Sequence, residues 1–225
     1  MTAHHQDNAM VHRSLGEIAA SLPGATAVFR KHKLDFCCGG DVPLETAAAA
    51  RGIDAHALLH ELEALQAPDT ATEPRDNAAL IDYILQRYHE THRRELPELV
   101  RLARKVEAVH AAHPNVPHGL ADHLHRMLGE LEMHMRKEEL ILFPVMLNRP
   151  GVVLDGPIFQ MRHEHDEHGD ALRRLEALTN DFTLPPGACR SWQALYTGAA
   201  KLADDLMEHI HLENNVLFPR FSANA

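Results

Sequence analysis

Two stretches of this chain place a histidine and a glutamate four residues apart in front of the same apolar phrase: MHMRKEELILFP (133–144) and EHIHLENNVLFP (208–219). Both read His-x-x-x-Glu-x-x-(Ile/Val)-Leu-Phe-Pro, pairing His134 with Glu138 and His209 with Glu213. Residues four apart share one helical face, so each pair presents an imidazole beside a carboxylate. A second pattern precedes each pair: His89-Glu-x-His92 begins 45 residues before His134, and His165-Asp-x-His168 begins 44 residues before His209. Imidazole and carboxylate together are ligands for iron, manganese or zinc.

The elements that must position these groups are helices. Apolar residues at three- and four-residue steps run Ile81, Leu85, His89, His92, Leu96, Leu99, Ala103; then Leu120, Leu124, Met127, Leu131, His134, Glu138, Ile141, Val145. They continue Ile158, Met161, His165, His168, Leu172, Leu175, and finally Leu195, Ala199, Leu202, Leu206, His209, Glu213, Val216. Breaks at HPNVPHG (113–119), NRPGVV (148–153) and TLPPGA (183–188) separate four amphipathic helices. No strand alternation competes. The expected fold is all-α, an antiparallel four-helix bundle.

The histidines and glutamates fall in register with the apolar seam. A carboxylate buried there is costly unless it is paired or binds a cation. One His-x3-Glu pair alone is an ordinary contact on a helix surface, but two matching pairs plus two further inward histidines point to a metal. Four histidines (His89, His134, His165, His209) and two glutamates (Glu138, Glu213) oversupply a single zinc. Two ions bridged by the glutamates account for the count and leave positions open for solvent or a small gas. Iron fits best, with manganese and zinc open. Glu130 and Asp205, each four residues before a ligand histidine, are candidates to orient an imidazole. Glu164 and Tyr88, next to ligands, are expected to point elsewhere, and His92 and His168 are read as proton relays or polar core.

Upstream of the bundle, LGEIAASL (15–22), ATAVFRKH (25–32), LETAAAARG (44–52) and AHALLHELEAL (55–65) form a small helical module. The expected organisation is a module over 1–66, a linker APDTATEPRD (67–76) and a bundle over 77–221. Within the module, Cys37-Cys38-Gly39-Gly40-Asp41 reads as a turn, with Asp41 and Pro43 opening the next helix. A thiol near a helix N-terminus is biased toward thiolate, which makes Cys37 and Cys38 candidates for redox or iron relay rather than a structural bridge. Cys189, and surface histidines such as His110, His113 and His118, are given packing or no role.

Composition sets outer bounds. The 225 residues carry a net charge of −10 and are 45% hydrophobic, enough for a proper core. That charge disfavours nucleic acid and anionic membranes as partners. No run spans a bilayer, and the N-terminal MTAHHQDNAM lacks a signal-peptide core, so the expected location is the cytoplasm.

The double His-x3-Glu motif resembles the hemerythrin-like bundles. LPGATAVFRKHKLDFCCGGDVPLETAAAARG (22–52) and YHETHRRELPELV (88–100) resemble the iron–sulfur cluster repair di-iron proteins, the repair of iron centers family. The resemblance covers residues 14 to 221. It implies two non-haem irons with an oxo or hydroxo bridge, held by His89, His134, Glu138, His165, His209 and Glu213 with the glutamates bridging. It further implies repair of clusters in iron–sulfur client proteins damaged by nitric oxide or oxidants, through iron donation or nitric oxide reduction. Oxygen-carrying hemerythrins add a histidine pair four apart on the third helix. Here the positions four from His165 are Met161 and Gly169, which favours reaction or release over reversible storage. The alternatives are a hemerythrin-like oxygen, nitric oxide or iron sensor or carrier without catalysis, and a bundle stapled by structural zinc.

Overall fold

The computed structural model describes residues 10–65, 76–149 and 151–223. It divides into two compact units, Met1–Arg75 with Met207–Ala225 and Asp76–Leu206. Most of the expected linker (67–75) lies outside the described residues. Among those described, every regular element is helical, and no helix is long and apolar enough to cross a membrane.

The first unit begins with α1 (Leu15–Ser21), α2 (Ala25–Lys31), α3 (Leu44–Ala50) and α4 (Ala55–Glu63). Ser14 and Glu17 close a capping box at the start of α1, satisfying two backbone donors that the helix leaves open. Leu15, Ile18, Phe29, Leu34, Phe36, Leu44, Leu58 and Leu62 form the core. The end of the chain belongs to the same unit: Met207 packs on this core, and Glu208 pairs with Arg30 at 2.9 Å.

The second unit holds the bundle. Its first long helix runs through α5 (Asn77–Ile84), a π-helical turn (Leu85–His89) and α6 (Glu90–Val109). The second runs through α7 (Leu120–Lys137), a π-helical turn (Glu138–Leu142) and α8 (Phe143–Asn148). The third is α9 (Asp155–Leu178), and the fourth is α10 (Arg190–His211), whose last residues belong to the first unit. Paired contacts give the directions. His89 meets Glu139 at 2.7 Å while Glu107 meets Ala121 at 2.8 Å, so the first and second helices are antiparallel. His134–Glu164 at 2.9 Å and His123–Ala171 at 2.8 Å set the second against the third. Arg87–Asp205 at 2.6 Å and Lys201–Glu95 at 2.7 Å set the fourth against the first. The all-α bundle preceded in the chain by a small helical domain is the architecture that the apolar periods predict.

The core phase departs from the predicted one in three helices. Leu142 and Met146 are buried where Ile141 and Val145 were expected, and Ile141 is 65% exposed. Leu217 replaces Val216, and Ile84 replaces Leu85. Each slip adjoins a π-helical turn, including a third at Leu212–Leu217. A π turn spends one extra residue per turn, so the apolar face advances by one position. Phe143 N–H donates to the Glu138 carbonyl and Phe218 N–H to the Glu213 carbonyl, both i to i+5. The residues that follow, Pro144 and Pro219, have no N–H with which to return the ladder to i+4 register at that point. In α9, which has no such turn, Ile158, Met161, His165, His168, Leu172 and Leu175 are all buried as the period predicts.

Candidate metal centre

In the bundle unit, His89, His134, Glu138 and His165 converge in the core, each no more than 1% exposed. Glu138 lies between two of the histidines. Its Oε2 is 3.5 Å from His89 Nε2, and its Oε1 is 3.3 Å from His134 Nε2. His165 Nε2 faces His134 Nε2 at 3.0 Å. His92 and His168 are also buried, and the His168 ring meets the His134 ring edge-on at 5.0 Å.

The outer nitrogens decide what the inner ones can do. His134 Nδ1 is 2.9 Å from Glu164 Oε2 and His89 Nδ1 is 2.7 Å from Glu139 Oε1. An ionised carboxylate only accepts, so each imidazole donates from Nδ1 and turns the lone pair of Nε2 inward. His134, then Lys137 and Gln160, hold the Glu164 carboxyl well below the usual range in spite of burial. Glu139 is also held ionised: burial opposes the charge, but Arg93 and His89 overcome it.

This corrects two expectations. Glu164 does not point away; it is a partner of the candidate ligand His134. Glu130 is exposed and its charge acts on His123, which is not a candidate ligand, while Asp205 is engaged by Arg87 and Lys201. Sequence reasoning missed Glu139 because helix phase cannot say what a neighbouring helix presents to it.

In the first unit, His209 and Glu213 are buried and adjacent, Nε2 to Oε1 at 3.1 Å. The π turn that carries Glu213 is seated on the cysteine loop. Asn214 donates to the Cys37 carbonyl and Asn215 to the Phe36 carbonyl, each at 3.1 Å. Phe36 meets the His211 ring edge-on at 5.5 Å, and burial pushes the His211 pKa down to about 4.

Asp35 organises the cysteine loop by accepting from the amides of Cys38 and Gly39 at 3.0 and 3.1 Å. The Cys37 and Cys38 sulfurs lie 3.8 Å apart. Helix α3 opens at Leu44 behind Pro43, too far along the chain to favour a thiolate at Cys37. The neighbouring Cys38, then burial, then Asp35 push the Cys37 thiol well above its ordinary pKa, the reverse of the expected bias. None of Cys37, Cys38 and Cys189 is in a disulfide. Cys189 does more than pack, since its sulfur lies 3.2 Å from His110 Nε2.

The donor set fits a metal. Both carboxylate oxygens of Glu138 are buried and accept no hydrogen bond among the described residues. They face imidazole nitrogens whose protons sit on the far side of the ring, so electron-rich atoms confront one another in a dry interior. A cation between them removes that conflict. The His/Glu clusters suit a non-haem di-iron centre.

These features define a helical cation-binding bundle. A family model described as the hemerythrin HHE cation binding domain matches residues 80–221, and a domain of unknown function (DUF542) matches residues 11–66. Among curated proteins, "Iron-sulfur cluster repair protein YtfE" of Yersinia pseudotuberculosis serotype IB (strain PB1/+) is 50% identical over 213 residues, covering 92% of this chain and 96% of that protein. The protein of the same name from Yersinia pestis (strain Pestoides F) matches with the same identity and coverage. The chain belongs to the hemerythrin-like family, in the branch of these iron–sulfur cluster repair proteins.

Proposed function

We propose that this protein repairs iron–sulfur clusters damaged by nitric oxide or oxidants, using two irons held by His89, His134, Glu138, His165, His209 and Glu213. In this reading the module over 1–66 and the bundle over 77–221 are joined by the 67–76 linker. The bundle carries the irons, and the module carries Cys37 and Cys38 as a relay toward iron–sulfur clients. The relatives' names supply the repair activity. The observation that carries the metal assignment is Glu138, whose two oxygens address two different histidines, as a bridging carboxylate requires. His209 with Glu213 repeats the His134–Glu138 spacing and supplies the matching set.

Bound iron would supply electrons and open coordination positions to nitric oxide or oxygen, or would itself be donated. The protein's part is to keep water out, with the buried Phe143 stacked on the His89 ring at 6.0 Å, and to hold His89 and His134 with their lone pairs inward. Three cysteines outside any disulfide fit a reducing setting such as the cytoplasm. Protein loaded anaerobically with iron(II) is expected to restore activity to a nitrosylated [4Fe–4S] enzyme. Glu138→Ala and Glu213→Ala are expected to abolish repair, and Cys37→Ala to spare metal loading. Glutamate variants that repair as well as the parent would overturn the reading.

A further inference from the structure

Two of the three candidate ligand imidazoles of the bundle unit, His89 and His134, are held by the same device, built twice. His89 Nδ1 donates to Glu139, whose carboxylate is gripped by Arg93 at 2.7 and 3.1 Å. His134 Nδ1 donates to Glu164, whose other oxygen takes Lys137 at 2.6 Å and Gln160 at 3.1 Å. In each case the acid comes from the next helix along the chain, beside a ligand of its own: Glu139 follows Glu138 and Glu164 precedes His165. The cation comes from the histidine's own helix, four residues after His89 and three after His134.

We infer that Glu139 and Glu164 are positioning residues for the metal centre: each fixes its imidazole in the Nδ1–H tautomer, aims Nε2 inward and strengthens it as a donor. The inference rests on the di-iron reading. The physical reason is that a neutral imidazole has one proton to place. A carboxylate acceptor at Nδ1 draws the proton there and leaves the Nε2 lone pair for a metal. Arg93 and Lys137 hold each carboxylate in place, since a charge-assisted contact is stronger than a neutral one. Negative charge on the far side of both rings stabilises the oxidised metal, so the pair also sets the potential. Because each acid crosses to the neighbouring helix, ligand geometry is fixed by the packing of two helices and not by one side chain's rotamer.

The test uses the full chain with Glu139→Gln, Glu139→Leu, Glu164→Gln and Glu164→Leu, and with Arg93→Gln and Lys137→Gln as controls that keep each acid and remove only its cation. Glutamine still accepts a hydrogen bond but carries no charge, whereas leucine does neither. Cobalt(II) competition is expected to show affinity reduced ~10–100-fold in the leucine variants, less in the glutamine variants and least in the controls. Iron-loaded glutamine variants are expected to show a raised midpoint potential. Nitrogen-15 shifts of metal-free protein separate positioning from folding: the parent should show His89 and His134 as Nδ1–H tautomers, and each leucine variant should lose that signature at its own histidine. Leucine variants with parental cobalt affinity and unchanged histidine tautomers overturn the inference. A parent chain that takes up no metal pair, yet shows both Nδ1–H tautomers, overturns the di-iron reading instead.

Discussion

Asn214, the residue directly after Glu213, donates its side-chain amide to the backbone carbonyl of Cys37 at 3.1 Å. The loop that carries the vicinal cysteines is thereby tied to the π turn that carries Glu213, a candidate ligand. Cys37 is buried with a raised pKa, while Cys38 is half-exposed. Cys38 is expected to react with a thiol-alkylating reagent at least ~10-fold faster than Cys37. Asn214→Ala is expected to speed the labelling of Cys37 specifically. Peptide mass mapping after timed alkylation checks both, and equal rates at the two thiols would contradict the buried placement.

The seat for Asn215 is made of glycine. A Cβ on Gly40 would lie 2.6 Å from Asn215 Oδ1 and 2.8 Å from the Phe36 carbonyl, and one on Gly16 would lie 2.5 Å from the same amide oxygen. The asparagine tip can move, but the Phe36 carbonyl belongs to the loop itself. Gly40→Ala is therefore expected to destabilise the unit by about 1–3 kcal/mol, the usual cost of overpacking. Urea unfolding measures it, and an unchanged midpoint would show that the loop is not held as described.

Among the described residues Glu138 is a buried acid with no hydrogen-bonding partner, which suits the proposed cation better than it suits stability. Metal-free Glu138→Gln is expected to melt at or above the metal-free parent. Iron(II) at about 100 times its dissociation constant should stabilise the parent by ~2.7 kcal/mol and the variant by essentially none. Anaerobic thermal melts with and without iron decide it; an equal metal-induced shift in both proteins would remove Glu138 from the ligand set.

Ile141 sits in the π turn with its side chain largely in solvent. Deleting this one residue removes the extra position without removing a core contact. The bundle is expected to keep its helicity while cobalt(II) affinity falls ~10-fold or more, because Glu138 loses the backbone that aims it. Circular dichroism and metal competition on the same sample separate the two effects.

His123 is buried, with Nε2 donating to the Ala171 carbonyl at 2.8 Å. Burial, reinforced by Arg126 and Arg174, lowers its pKa. The unfolded chain then takes the proton more readily than the folded one. The contribution to stability is intact above the unfolded histidine value of about 6.5, and is lost as pH falls from there through the folded value. Urea midpoints between about pH 7.5 and about pH 5.5 should fall less in His123→Gln, which keeps a donor for Ala171, than in the parent.

What the residues determined on their own is the helical class, the breaks between helices and the six candidate ligands. These signals are local: a 3.6-residue period, proline and glycine at the ends, and imidazole and carboxylate four apart. In α9 all six positions that the period marked, from Ile158 to Leu175, are buried, because nothing there departs from i+4 hydrogen bonding. The other three helices escaped that logic. Whether Ile141 or Leu142 faces the core depends on one hydrogen bond, Phe143 to Glu138, that closes over five residues instead of four, and both side chains are apolar enough for either register. The partners of the ligand imidazoles were further out of reach. Glu139 and Glu164 find His89 and His134 only because antiparallel helices bring together residues 50 and 30 positions apart, and helix periodicity carries no information about the face across the gap. The state of Cys37 likewise followed from what surrounds it, since burial and a neighbouring thiol outweigh a helix terminus that lies too far along the chain to act.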